Sequence, residues 1–224
     1  IILNKISKNS LIRILSHHKK KDNIFRVDLL CNNDGSGSLS LTVSGGVGNY
    51  GFNWNNGLYT TQDISGVSAG SYTVVVTDDN GCTISASQVI TEPDVITVAF
   101  TSTNLSCNGD YSGSVNATVS GGTLAYYYWW DNNSTDAVQS GLSAGQYTLT
   151  VTDGNGCQSV SGLSIAEPPV LTVSVSGMNL SCNNDNSGSL SSLVSGGTAP
   201  YDYLWSNSST LSAQIGLSSG AYDV

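Results

Sequence analysis

Cysteine and aspartate are the residues of this chain whose spacing could do chemistry. Cys31, Cys107 and Cys182 each open the string Cys-Asn-x-Asp-x-Ser-Gly, and Cys82 and Cys157 each close the string Val-Thr-Asp-x-Asn-Gly-Cys. Thiols placed this regularly form disulfides in an oxidising compartment. The aspartates follow the same rhythm. Asp34, Asp110 and Asp185 lie three residues after a first cysteine; Asp78 and Asp153 lie four before a second. If the turns that carry them converge, the carboxylates and neighbouring Asn carbonyls make an oxygen-only ligand set of the kind Ca²⁺ takes. The commoner duty of Asp in such turns is to accept hydrogen bonds from the turn's own backbone. Calcium is the one cofactor this inventory points to. A zinc site is poorly supplied, since each repeat offers two cysteines and no histidine where zinc takes four such ligands.

Catalytic chemistry finds little to work with. All seven Lys and Arg residues lie between Lys5 and Arg26, and both histidines, His17 and His18, lie there too. From Cys31 onward no Ser-His or Cys-His pair and no cationic oxyanion clamp can form. Carboxylate pairs remain, but they sit in turns. The chain therefore reads as a non-enzyme. The formal charge of −9 is a basic leader joined to an array of uniform negative sign, with 14 of the 16 acidic residues at or beyond Asp34. Such a surface repels nucleic acid and anionic headgroups. No run approaches the roughly 18 apolar residues needed to span a bilayer.

Cysteine arithmetic predicts the bridges Cys31–Cys82 and Cys107–Cys157, two cysteines per complete repeat, with Cys182 left over. Immunoglobulin-type topology argues the other way. It places the first cysteine in the turn before the second strand and the second cysteine in the hairpin before the last, at opposite ends of a sandwich. Pairing between repeats, Cys31 to Cys157, is the competing arrangement.

The elements that must position these residues recur every 75 or 76 residues. Ser-Gly-Gly columns stand at Ser44–Gly46, Ser120–Gly122 and Ser195–Gly197. They are followed by Trp54, Trp130 and Trp205, then by the Gly-x-Tyr columns ending at Tyr72, Tyr147 and Tyr222. A fixed period of this length marks an array of like units. In the second repeat, alternating apolar and polar residues predict strands at Val95–Phe100, Ser114–Val119, Tyr126–Trp130, Ala137–Leu142, Tyr147–Thr152 and Gln158–Ile165. Asn-Gly, Gly-Gly and Asp-Asn-Asn pieces between them are turn chemistry. The fold class is all-β, a tandem array of small immunoglobulin-like β-sandwiches of about 75 residues. The Trp column is core. The Tyr of Gly-x-Tyr has the placement of a tyrosine corner, its hydroxyl bonding back to the chain.

The array divides at Glu92-Pro93 and Glu167-Pro168, where Pro ends ladder pairing. Residues 1–28 read as a basic leader foreign to the array. Repeat 1 is 29–93 with an atypical first strand, repeat 2 is 94–168, and repeat 3 is 169–224. Val224 falls inside the Tyr-x-Val strand, so the sequence reads as a fragment of a longer polypeptide. Repeat 2 differs from its neighbours in one respect. Tyr127 and Trp129 occupy the face opposite Trp130, where repeat 1 has Gly51 and Asn53 and repeat 3 has Asp202 and Leu204. An exposed aromatic pair stacks on sugar rings; the plainer reading packs them under a loop or against a neighbouring repeat.

These columns resemble the SprB-type repeat of Bacteroidetes gliding-motility and cell-surface adhesins. In repeat 2 the resemblance rests on Cys107-Asn108-Gly109, Gly113-Ser114, Gly121-Gly122, Tyr126, Tyr128, Trp130, Leu142, Gly145, Tyr147, Val151, Asp153, Gly156, Cys157 and Pro168. Repeat 3 adds Pro200-Tyr201. The resemblance implies an extracellular place on the bacterial surface and secretion by the type IX route. It also implies service as a stalk or adhesin array, with surface polysaccharide or other cell-surface material as partner besides the neighbouring repeats. It brings no catalytic residues.

Overall fold

The computed structural model describes residues 12–15, 21–183 and 185–224, and among these there is no helix. β1 (Ile12–Leu15) precedes repeat 1, which contains β2 (Lys21–Val27), β3 (Gly37–Thr42), β4 (Tyr50–Trp54), β5 (Ile64–Val67), β6 (Gly70–Asp78) and β7 (Thr83–Ile90). Repeat 2 contains β8 (Thr97–Thr103), β9 (Gly113–Ser120), β10 (Tyr127–Trp130), β11 (Val138–Leu142), β12 (Gly145–Thr152) and β13 (Gln158–Ile165). Repeat 3 contains β14 (Thr172–Met178), β15 (Gly188–Ser195) and β16 (Ala213–Leu217). Of the strands expected in repeat 2, the first starts two residues later and ends three later, the fifth starts two residues earlier, and the rest agree within one residue. Asp94 and the residues after it are held in the junction instead, where the Asp94 carbonyl accepts from Gly122 N at 2.7 Å.

Each complete repeat is a three-on-three sandwich. In repeat 1 the sheets are β1-β2-β3-β5 and β4-β6-β7, with β1 an added edge; in repeat 2 they are β11-β9-β8 and β10-β12-β13. The pairings of repeat 1 are antiparallel throughout. Strand period two drives one face of each sheet inward. In repeat 1, Ile24, Leu39, Leu41 and Ile64 from one sheet meet Trp54, Val74, Val76, Ala86 and Ile90 from the other in a single buried cluster. Trp54, Trp130 and Trp205 are essentially fully buried. Each indole N–H donates to a backbone carbonyl, those of Thr61, Asp136 and Leu211. The tyrosine corner is present in every repeat. Tyr72, Tyr147 and Tyr222 donate from their hydroxyls to the carbonyls of Ser68, Ser143 and Ser218 at 3.0, 3.0 and 3.2 Å.

The Gly of the Cys-Asn-x-Asp-x-Ser-Gly string has a packing reason. A Cβ on Gly37, Gly113 or Gly188 would lie 2.6, 2.7 or 2.8 Å from the carbonyl oxygen of Val67, Leu142 or Leu217. At each place the ladder shifts register, and the backbones approach more closely than a side chain allows.

The leader expected over residues 1–28 is shorter than its composition indicates. Lys21–Val27 is the first strand of repeat 1, pairing with β3 from Asn23↔Thr42 to Val27↔Ser38. Ile24 is buried, and Arg26 is tied in by donating to the Val89 carbonyl at 2.7 Å and pairing with Asp28 at 3.3 Å. The charge of Arg26, which shares a face with buried Ile24 but is tied to Val89 and Asp28, disguised the strand as a solvated tail. Residues 1–11 and 16–20 of that leader lie outside the described residues.

The described chain forms two compact units. The first comprises the described residues up to Val98 together with Val119–Tyr128 and Thr150–Val160. The second comprises Ala99–Thr118, Trp129–Leu149 and the described residues from Ser161 to Val224. Repeat 2 thus contributes its first-repeat-facing turns to the first unit and its remaining core to the second.

Candidate functional site

The cysteine turn is built the same way three times. The Asp34 carboxylate accepts from Cys31 N at 2.8 Å and from the amide and hydroxyl of Ser36 at 2.9 and 2.7 Å. Asp110 and Asp185 repeat this with Cys107 and Ser112, and with Cys182 and Ser187. The Ser36 and Ser112 amides, against a smaller opposing desolvation, hold the Asp34 and Asp110 carboxyls below the usual range; at Asp185 the Ser187 hydroxyl leads. The Glu-Pro boundary then fastens this turn to the end of its own repeat. Asn33 N donates to the Glu92 carboxylate at 2.7 Å and Asn32 Nδ2 to the Pro93 carbonyl at 3.1 Å. In repeat 2, Gly109 N and Asn108 Nδ2 make the same bonds to Glu167 and Pro168 at 2.8 and 3.0 Å.

The second turn, Asp-x-Asn-Gly-Cys, is organised by a buried carboxylate. Asp153 is 2% exposed, and its oxygens accept from Asn155 N, Cys157 N and Thr123 N at 2.9, 2.9 and 2.8 Å. Burial is the largest single influence on this carboxyl and pushes it upward. The amides of Thr123, Cys157, Asn155 and Gly156 together outweigh it, so the group stays ionised below the ordinary range. Asp78 holds the amides of Asn80, Cys82 and Val47 in the same way.

Within the first unit these two turns meet across the repeat boundary. Cys31 is disulfide-bonded to Cys157, with Cα atoms 5.6 Å apart. Asn155 Nδ2 donates to the Leu30 carbonyl at 2.9 Å and to Thr123 Oγ1 at 3.1 Å. The pairing Cys31–Cys82 and Cys107–Cys157 is corrected: Cys82, Cys107 and Cys182 are free and exposed. The reason is strand length. Leu29 N bonds to Thr91 O at one end of β7, whereas Cys82 stands just before β7 at the other. An eight-residue strand spans about 25 Å, and a disulfide needs Cα atoms closer than about 7 Å. Asn155 was read from the sequence only as a turn former. Its place next to a cysteine in a repeated string was the available signal for a docking role.

The remaining expected sites fare differently. Asp34, Asp78, Asp110, Asp153 and Asp185 do not assemble as calcium ligands. Among the described residues no three His, Cys, Asp or Glu side chains group closely enough to hold a metal ion. Their oxygens already accept the turn amides described above, so the donor set does not fit a cation needing six or more free oxygens. Tyr127 and Trp129 are not packed under a loop. They are 66% and 57% exposed, on the outward positions of β10, while Trp130 faces the core against Phe100 with ring centroids 5.8 Å apart. No helix among the described residues is long and apolar enough to cross a membrane.

A repeating three-on-three sandwich whose polar residues hold turns and junctions defines a structural tandem-repeat protein. The SprB repeat family model matches it three times, at residues 25–58, 99–135 and 174–210, and the chain is a tandem array of SprB repeats. The first match begins inside β2, in agreement with that strand's place in repeat 1. The family is one of structural repeats found in cell-surface proteins. No curated protein matches the chain.

Proposed function

We propose that this segment is the stalk or adhesive array of a large secreted bacterial surface protein, exported by the type IX route and serving gliding or attachment, and that it is not an enzyme. One observation carries the reading. The repeated aspartates are spent on turn amides, Cys31 and Cys157 on a junction, and the Trp and Tyr polar tips of the repeat columns on backbone carbonyls. The absence of Lys, Arg and His beyond Arg26 supports it, since acid–base and nucleophilic catalysis lack their usual partners. So does the absence of trypsin sites over the same stretch, a useful property outside the cell. Replacing the array in its parent protein by unrelated sandwich repeats of equal length is the test. Retained surface attachment identifies a spacer; lost attachment with retained display identifies an adhesin; an array found only inside intact cells overturns both.

A second reading has repeat 2 bind glycans. The observation favouring it is the exposure of Tyr127 and Trp129, which neighbouring repeats replace with Gly51 and Asn53 or Asp202 and Leu204. Polysaccharide binding that disappears in Trp129→Ala with unchanged folding supports it. No binding by the oxidised chain across a glycan array ends it.

A further inference from the structure

We propose that disulfides in this array join neighbouring repeats by one rule, the first cysteine of a repeat to the second cysteine of the next, and that Cys107 is therefore the built seat for the Asp-x-Asn-Gly-Cys turn of a complete third repeat. The rule is independent of what the array binds.

The Cys31–Cys157 bridge supplies the template. Cys31 sits beside Asn32, Asp94, Val95, Ile96 and Gly122 in a groove of 260 Å³ that has Asp153 and Cys157 on its wall. One repeat later the second unit contains a larger groove that repeats one of its walls. Cys107, Asn108, Pro169, Val170, Leu171 and Gly197 occupy the positions corresponding in the repeat to those of the first group, around 670 Å³. The scaffold bonds are reproduced within 0.1 Å. Gly122 N to Asp94 O and Gly197 N to Pro169 O are 2.7 and 2.8 Å; Leu29 N to Thr91 O and Leu105 N to Ala166 O are 3.0 and 2.9 Å. Cys107 is thus held as Cys31 is held, by Asp110 in place of Asp34. What differs is exposure. Cys31 and Ile96 are half-buried, whereas Cys107 and Leu171 are exposed.

The occupant follows from the repeat. Val224 corresponds to Leu149, so the second cysteine of a third copy falls eight residues further along the pattern, as Cys157 follows Leu149. Its Asn would reach the Ser106 carbonyl as Asn155 reaches Leu30. Bond formation is ordinary exchange with a small disulfide oxidant. The Cys107 thiol and the incoming thiol lose two protons and two electrons to form one S–S bond, and the oxidant leaves as two thiols.

The test extends the full chain after Val224 with a copy of residues 150–168, completing repeat 3, and oxidises it with glutathione disulfide. The chain has three free thiols, Cys82, Cys107 and Cys182, and the extension adds one. The expected result is two free thiols, Cys82 and Cys182, with a mapped Cys107 peptide joined to the new cysteine. Zero free thiols, with the new cysteine on Cys182, overturns the rule in favour of pairing within repeats; four free thiols, or dimers through Cys107, also overturn it. Should the extended chain fail to form its Cys31–Cys157 bridge, a synthetic peptide of residues 152–160 is offered to the unextended chain. Capture by Cys107 in preference to Cys82 and Cys182 supports the seat, and equal capture by all three overturns it.

Discussion

The Asn155 side-chain amide donates to the carbonyl of Leu30, 2.9 Å away, so the residue two before Cys157 grips the residue one before Cys31. The hydrogen bond and the disulfide act on the same pair of turns. Asn155→Ala should lower the junction's stability by about 1 kcal/mol, the worth of a typical hydrogen bond, and make the bridge easier to reduce. A thiol titration against dithiothreitol reads it; an unchanged reduction midpoint would deny Asn155 this role.

The bridge closes a long loop. Cys31 and Cys157 are 126 residues apart, which in the chain-entropy picture is worth up to about 5 kcal/mol. Cys31→Ser should therefore lower the denaturant midpoint, whereas Cys82→Ser should leave it unchanged. Single-molecule pulling gives a sharper reading. Reduction should release about 45 nm of extra contour, at about 3.6 Å per extended residue. Equal effects of the two serine variants would contradict the observed pairing.

Trp129 and Trp130 are chain neighbours with opposite fates. Trp130 is fully buried, so Trp130→Ala should cost about 3–5 kcal/mol. Trp129 projects outward, and Trp129→Ala should stay within about 0.5 kcal/mol of the parent chain. Urea unfolding of both variants checks the assignment of faces on β10.

Gly113→Ala should destabilise repeat 2 by about 1–3 kcal/mol, as overpacking does. Its Cβ would meet the Leu142 carbonyl at 2.7 Å and Ile165 Cγ2 at 2.9 Å. Gly109→Ala, where nothing lies within 4 Å, serves as comparison. It reports backbone strain alone, since Gly109 has φ +74°.

Acid should weaken the array by a defined route. Asp34, Asp110, Asp153 and Asp185 all have carboxyls lowered in the folded state. A lowered folded value means the stabilisation is complete above the unfolded value of about 3.9 and lost as pH falls through the folded one. Melting temperature should hold steady from neutrality to about pH 5 and fall below about pH 4. Asp153→Asn, which removes the buried charge that Thr123, Asn155 and Cys157 amides address, should flatten part of that fall. Since the same oxygens are occupied by amides, melts in millimolar Ca²⁺ and in chelator should coincide.

The sequence alone determined the units and their interiors. A period of 75 or 76 residues, strand alternation and turn residues are local signals, and Trp54, Trp130, Trp205 and the Tyr72, Tyr147 and Tyr222 corners sit where period two and the Gly-x-Tyr column put them. The tertiary structure decided what depends on distance between elements remote in the chain. Cys31 was in reach of two partners by count, and the length of β7 removed one of them. The aspartates were oxygen donors by type, and folding turned those oxygens toward their own turn amides. Lys21–Val27 carried the charge of a solvated tail, yet Ile24 had a sheet to pair with and a core to enter. Tyr127 and Trp129 had a face assigned by alternation, but only the fold, in which no described element covers them, left that face open. Composition and period act through neighbours in sequence; bridges, ligand sets and exposure depend on which surfaces the sandwich brings together.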